Sequence, residues 1–309
     1  MRWAEATQWL GRRVLVTGAS GFVGQAVCEL LLECGAQVHG SYRSRLPPAG
    51  VIAHPAHLPG DAAELLDRVR PEVVIHLASP VHLGRQPALY PLMRAGILDA
   101  TAAIAEGCMR HSARLLHVGT CAEYGDQPSP LSPALCPAPL SPYAALKAAA
   151  THWVMTMART GGLRAGVVRP FRAFGPRDTS SVLSLVYRSL LTGTPIALTD
   201  GAQVREWNDV YAIATGILAA AAHPGAVGRI LNLGGGHRRS VRAMCEAIVD
   251  HAGADRALLR FGAHPRRAGE PATFFGDHAL TTELLGPLPH PPLSDSLTET
   301  LEWHRAHPD

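Results

Sequence analysis

Three glycines spaced three residues apart, Gly18, Gly21 and Gly24, directly follow the apolar run Val14-Leu-Val-Thr17 and open a stretch with helical spacing of apolar residues. A strand, a tight turn and a helix in that order leave few folds open. Gly18 permits the turn, Gly21 lets the backbone approach a pyrophosphate, and Gly24 lets the helix pack close on its sheet. Unpaired N–H groups at the helix start then receive negative charge. Ser20, Phe22 and Val23 complete this candidate dinucleotide cradle.

The rest of the chain repeats the alternation. Strands are expected at 14–17, 37–40, 73–77, 115–118 and 165–169, with helices at 25–34, 62–69, 92–111 and 143–159. This order predicts an α/β fold, a doubly wound parallel Rossmann sheet with ligand sites at the strands' C-terminal edge. The Pro- and Ser-rich segment 126–142 is expected as a surface loop. A second group of elements begins near Gly175, with a helix at 181–191, a strand at 196–198, a helix at 210–222 and a strand at 229–233. The expected division is a dinucleotide-binding domain over 11–174, rejoined by 205–233. A smaller C-terminal substrate-binding α/β domain takes 175–204 and 234–309.

Several function classes lose support. The 309 residues carry a formal charge of only +3 and no run of Lys and Arg, so no nucleic-acid partner is expected. The six cysteines form no CxxC pair, which fits free thiols in a reduced cytoplasmic protein. No HExxH is present, and no metal site is expected. No apolar run reaches the roughly 18 residues of a membrane span, and residues 1–13 lack the features of a secretory signal.

Chemistry-bearing residues follow. Tyr143 and Lys147 stand four apart on an expected helix and so share a face. An ammonium near the phenol is expected to lower its pKa, letting Tyr143 pass a proton while hydride moves at a nicotinamide. Thr120, just past the strand at 115–118, is placed to bond a substrate oxygen. At the end of the second strand Tyr42 replaces the acid that would bind ribose hydroxyls. Ser41 and Arg43 are suited to a 2′-phosphate, which implies NADP(H).

Val14-Leu-Val-Thr-Gly-Ala-Ser-Gly-Phe-Val-Gly24 resembles the extended short-chain dehydrogenase/reductase family, of the NAD-dependent epimerase/dehydratase type. Other segments agree in order: His76-Leu-Ala-Ser79, Tyr143-Ala-Ala-Leu-Lys147, Arg169-Pro-Phe-Arg-Ala-Phe-Gly-Pro176, the segment 198–210 and Arg267-Ala-Gly-Glu270. The resemblance implies that Leu77, Ala78, Ser79 and Pro170 wall the cofactor, and that Lys147 bonds the nicotinamide ribose. It also implies that Arg172, Arg205 and Arg267 meet a nucleotide-sugar substrate. Arg172 stands where the family often has Asn, and His57-Leu58 replaces an Asp that often meets adenine. Dehydratases of this family follow the Thr with an acid pair, whereas this chain has Cys121-Ala122, with Glu123 one residue late. Val118-Gly-Thr-Cys-Ala-Glu-Tyr-Gly125 looks more like nucleotide-sugar 4-ketoreductases. The expected activity is therefore NADPH-dependent reduction of a nucleoside-diphosphate 4-keto-6-deoxyhexose, in deoxysugar biosynthesis. The alternatives are a nucleotide-sugar 4-epimerase and a non-catalytic NADP-binding regulator. A homodimer through a helix bundle containing the Tyr143 helix is implied as well.

Overall fold

Arg13–Thr17 forms β1, and the four residues from Val14 onward are buried, as befits a strand covered on both faces. The computed structural model describes residues 6–81, 86–266 and 269–308. After β1 come α1 (Phe22–Glu33), β2 (Gln37–Tyr42), β3 (Ile52–Pro55), α2 (Ala62–Val69) and β4 (Val73–His76). Then follow α3 (Tyr90–Arg94), α4 (Ala100–Arg110), β5 (Arg114–Val118), α5 (Pro142–Thr160) and β6 (Ala165–Pro170). The chain continues through β7 (Ala173–Phe174), α6 (Val182–Thr192), β8 (Ile196–Leu198), β9 (Val204–Asp209), α7 (Val210–Ala222) and β10 (Ile230–Leu233). The last elements are β11 (His237–Ser240), α8 (Val241–His251), β12 (Leu259–Phe261), β13 (Thr273–Phe274), α9 (Ala279–Leu285) and α10 (Leu293–Ala306).

The large sheet has seven strands in the order β10-β6-β5-β4-β1-β2-β3, all parallel. The fold is thus the expected doubly wound α/β Rossmann sheet. Alternate side chains feed opposite layers, as strand geometry requires. Val14, Val16, Val73 and Ile75 pack with Val27, Leu31, Ile213 and Ile217 of α1 and α7. Leu15, Val74 and Leu115 pack instead with Leu66, Ile104 and Val154 of α2, α4 and α5. The winding reverses between β1 and β4, so the crevice for a ligand opens beyond Thr17 and His76, which pair in register.

A small sheet of β7, β9, β11 and β13 lies beside the large one, and β8 pairs with β12. α6, α8 and α10 close a separate core there around Tyr187, Trp207 and Ile248. Two boundaries differ from expectation. Residues 204–207 pair with β11 and 208–209 with β7, so β9 belongs to the small sheet and the return to the large sheet starts at Val210. β7 pairs with β9, so the small sheet already begins before 175. The expected single helix at 92–111 is interrupted by a π-helical turn over Ala95–Asp99. Close packing marks this place: a Cβ on Gly96 would stand 2.8 Å from the Pro80 ring. No helix among the described residues is long and apolar enough to cross a membrane.

Candidate active site

The glycine turn is closed so tightly that side chains are excluded from it. Gly18 has φ +71°, and a Cβ there would lie 2.9 Å from the Ala78 backbone. A Cβ on Gly24 would lie 2.1 Å from Gly18 O. Opposite the turn, Leu77 N donates to Thr17 O (3.2 Å) and Ala78 N to Thr17 Oγ1 (3.2 Å). These bonds hold the segment after β4 against the loop. α1 begins at Gly21 with no side-chain cap, so its first N–H groups are available to an anion.

Between these walls lies a cleft of about 370 Å³. Gly18, Ser20 and Gly21 form one side, and Leu77, Ala78 and Ser79 the other. Ser41 and Arg43 line its outer end, together with Ser44 and Arg45, which the sequence reading passed over. Leu58 also faces the cleft, and no carboxylate lines it among the described residues. Ser79 Oγ is buried on this wall and lies beside the Tyr143 phenol, linking the cleft to the side chains beyond it. The cradle therefore fits a dinucleotide: glycines where side chains would clash, and helix N–H groups with no side-chain cap. The next three residues of the expected cradle do not line the cleft with their side chains. Phe22 faces a neighbouring cleft beside Trp303, Val23 packs on the core, and Gly24 is buried behind the turn. All three sit in the first turn of α1, whose backbone N–H groups rather than side chains are the part open to a cofactor. Pro170 ends β6 beside Leu233.

Beyond this cleft stand the reacting side chains. α5 starts at Pro142 with Ser141 as N-cap (Ala144 N to Ser141 Oγ, 3.2 Å), which puts Tyr143 in the first turn and Lys147 one turn on. Thr120 caps the short turn Cys121–Tyr124: its oxygen accepts from Ala122 N at 3.2 Å. The side chain also lies within hydrogen-bond reach of Cys121, so a substrate oxygen would compete with the thiol for the hydroxyl proton.

The electrostatics differ from expectation in one respect. The Tyr143 phenol is pushed up to about 12 by burial and by neighbouring Cys121 and Glu123, with Ser79 acting in the opposite sense. Lys147 does not lower it. The ammonium instead donates to Val118 O at 2.6 Å, and burial pulls Lys147 down to about 8 against the opposing pull of Glu123. Desolvation wins because Lys147 is buried and Tyr143 is largely shielded from water. The phenol is thus held protonated at neutral pH, the form that donates a proton. Cys121 is also pushed up to about 12 by burial, so it is no thiolate nucleophile.

Glu123 is directed inward. Its Oε1 accepts from Thr120 N (2.9 Å) and Thr151 Oγ1 (3.1 Å), and its Oε2 from Arg169 Nε (2.9 Å). A carboxylate so saturated is unsuited to removing a substrate proton. The arginines are divided. The Arg172 guanidinium is exposed and lies 5.3 Å from the Trp207 ring centroid. Arg205 is buried, donating to Val204 O (2.7 Å) and Glu270 Oε1 (2.9 Å). The charge of Arg172 lowers the Cys121 pKa against burial, and Cys121 in turn raises that of Arg205. Arg267 lies outside the described residues. No cluster of metal-ligating groups occurs among the described residues.

Comparison with known proteins agrees with this geometry. The sequence profile of the NAD dependent epimerase/dehydratase family matches residues 14–234, and the chain belongs to that family. It is 27% identical to a dTDP-glucose 4,6-dehydratase of Actinoplanes sp., over 96% of this chain and 98% of that one. It is also 27% identical to an uncharacterized UDP-glucose epimerase, YtcB, of Bacillus subtilis, over 94% and 97%. Among solved structures, MoeE5 in complex with UDP-glucuronic acid and NAD superposes with a TM-score of 0.85 at 26% identity, covering 95% of this chain and 99% of that one. The chain is therefore an enzyme of a nicotinamide-dependent family whose members act on nucleotide sugars.

Proposed function

We propose that the protein reduces the 4-keto group of a nucleoside-diphosphate 4-keto-6-deoxyhexose with NADPH. The observation that carries this reading is the outer end of the cofactor cleft. Ser41, Arg43, Ser44 and Arg45 gather there without a carboxylate, a set suited to a 2′-phosphate. Such a cofactor, when bound, supplies a hydride and is consumed once per turnover. The residues would share the work as follows. The α1 N-terminus and Ser20 hold the pyrophosphate, and Ser79 and Lys147 hold the nicotinamide half. Thr120 donates a hydrogen bond to the ketone oxygen. Tyr143, kept protonated by burial, passes its proton to that oxygen as hydride reaches the carbon, giving the alcohol. Arg172 meets the substrate diphosphate as it stands, whereas Arg205 does so only by exchanging Glu270 for the phosphate.

Cys121 and Ala122 offer no acid to remove a C5 proton, and Glu123 is engaged by Arg169, so dehydration is not proposed. A 4-epimerase is the second reading. It is favoured by the epimerase among the relatives and by the NAD in the superposing structure. A panel of nucleotide 4-keto sugars incubated with NADPH decides between them. Oxidation of one NADPH per substrate supports reduction. Interconversion of nucleotide hexose epimers without net consumption overturns it.

A further inference from the structure

Two buried histidines lie side by side near Lys147, and only one of them is satisfied. His76 on β4 and His117 on β5 are register partners with ring centroids 5.6 Å apart. His76 Nδ1 lies 2.7 Å from Thr17 Oγ1, and its Nε2 lies 3.1 Å from Thr101 Oγ1. Thr101 gives its own proton to Ile97 O at 2.6 Å, so toward His76 it accepts. The ring proton therefore sits on Nε2. Nδ1 then accepts from Thr17, whose oxygen accepts from Ala78 N. His76 has no capacity left, and its task is to brace the cleft wall at Ala78.

His117 is as deeply buried, yet neither ring nitrogen has a partner among the described residues. A neutral imidazole carries one donor and one acceptor, and leaving both unmade in a protein interior is costly. A Leu or Phe would fill the space without that cost. Burial and the nearby Lys147 charge hold His117 well below its ordinary pKa, so it offers a lone pair at any working pH. Lys147 has three N–H groups, and among the described residues Nζ is seen to spend one on Val118 O, the carbonyl of the residue after His117.

We propose that His117 is a positioning residue for Lys147: its ring accepts a second N–H of the ammonium through one buried water and keeps Lys147 charged and oriented. The inference rests on the Tyr143–Lys147 face being the cofactor face. The charged and titratable groups around Lys147 are His76 from β4, His117 from β5, Glu123 with its partner Arg169, and Tyr143 on its own helix. His76 is saturated, and Glu123 is taken by Thr120, Thr151 and Arg169. Of these, His117 is the fully buried one whose acceptor has no partner among the described contacts.

An acceptor on the ammonium raises the Lys147 pKa. Removing it lowers a value that burial has already brought to about 8. Cofactor affinity should fall as pH rises through that value, because a neutral amine holds the ribose less firmly. The experiment is an equilibrium titration of the whole protein with NADPH and with NADH between about pH 6 and 9.5. The cofactor that binds more tightly is used throughout, so cofactor preference and this proposal fail on different readings. In His117→Leu the pH midpoint of binding should move down by roughly one unit, the size of one hydrogen bond to a charged group. His117→Gln, which keeps an acceptor, should restore it. His117→Phe makes the same removal as Leu with a flat ring and serves if the Leu variant does not fold. An unchanged midpoint in the Leu or Phe variant overturns the proposal, as does an equal shift in the Gln variant.

Discussion

Arg169 Nη2 lies 2.8 Å from Glu123 Oε2, and both side chains are out of reach of solvent. The Tyr124 ring stacks under the guanidinium, 4.6 Å from its centroid. Through the other carboxylate oxygen the pair reaches Thr120 N, so the turn that presents the Thr120 hydroxyl is anchored to β6.

Breaking this pair should therefore cost stability and catalysis together. Truncating one partner of a buried ion pair typically costs about 3–5 kcal/mol, because the other charge is left unpaired. Glu123→Ala should lose about that much in urea unfolding. Glu123→Gln keeps the bond to Thr120 N and should lose less. If Glu123→Ala unfolds at the wild-type urea midpoint, the anchor is not what fixes this turn.

The outer end of the cofactor cleft makes a second expectation. NADPH should bind more tightly than NADH by roughly 1–3 kcal/mol, the worth of a charge-assisted hydrogen bond or two. Arg43→Ala and Arg45→Ala should each remove part of that preference while sparing NADH. Equal affinity of the unmodified protein for both cofactors, measured by fluorescence titration, would contradict the role given to these arginines.

These residues also mark how far the sequence was legible. The glycine turn could be read because its geometry is local: three glycines, one strand before, one helix after. Tyr143 and Lys147 could be read because helical spacing alone puts them on one face. Arg45 repeats Arg43 at the same loop and was open to the same reading. The remainder depended on contacts between distant segments. β3 was missed because it is an edge strand in which only His54 is buried, so no apolar run announces it. Arg205 was expected to face a phosphate, but Glu270, 65 residues on, closes it. The Tyr143 pKa went the wrong way because spacing reveals which charge is nearby and not how deeply both groups are buried.

Helix α5 leads to an expectation about assembly. Trp153 on α5 and Leu92 on α3 are 46% and 49% exposed, an unusual state for such large apolar residues on neighbouring helices. The homodimer inferred for this family through the Tyr143 helix would cover them. Trp153→Arg should convert a dimer to a monomer in sedimentation velocity without loss of fold. A wild-type protein that sediments as a monomer at micromolar concentration would dismiss this interface.

The dehydratase relatives set a sharper comparison. With Cys121 and Ala122 beside Thr120, intact nucleotide hexoses incubated with NAD or NADP should yield no 4-keto-6-deoxy product. Its appearance by mass spectrometry would mean that Glu123 or another side chain removes the C5 proton, and the reductase reading would fall.

Lys147 joins catalysis to stability with a definite sign. Its pKa in the folded protein, about 8, lies below the ordinary lysine value of 10.5, so the unfolded chain binds the proton more tightly. Below pH 8 the folded state holds a charge it would rather release, and the penalty is fully present. Between pH 8 and 10.5 the folded state sheds its proton first, so the penalty fades as pH rises. Replacing the ammonium by an apolar chain of similar length removes the penalty and also the bond to Val118 O. Lys147→Met should on balance stabilise the protein by roughly 1–3 kcal/mol at pH 7. That gain over the wild type should shrink as pH climbs through 8 to 10. Turnover on a confirmed substrate should nearly vanish, since the ribose contact is lost. Tyr143→Phe separates the two effects. It keeps the ring and leaves Lys147 in place, so NADPH affinity should change little, while turnover should fall by about 10²–10⁴-fold, the usual worth of a positioned acid. Thermal unfolding across pH beside steady-state turnover for both variants is the measurement. A Lys147→Met protein less stable than wild type at pH 7 would show that the ammonium is a net support of the fold. Near-normal turnover in Tyr143→Phe would mean that the proton comes from elsewhere.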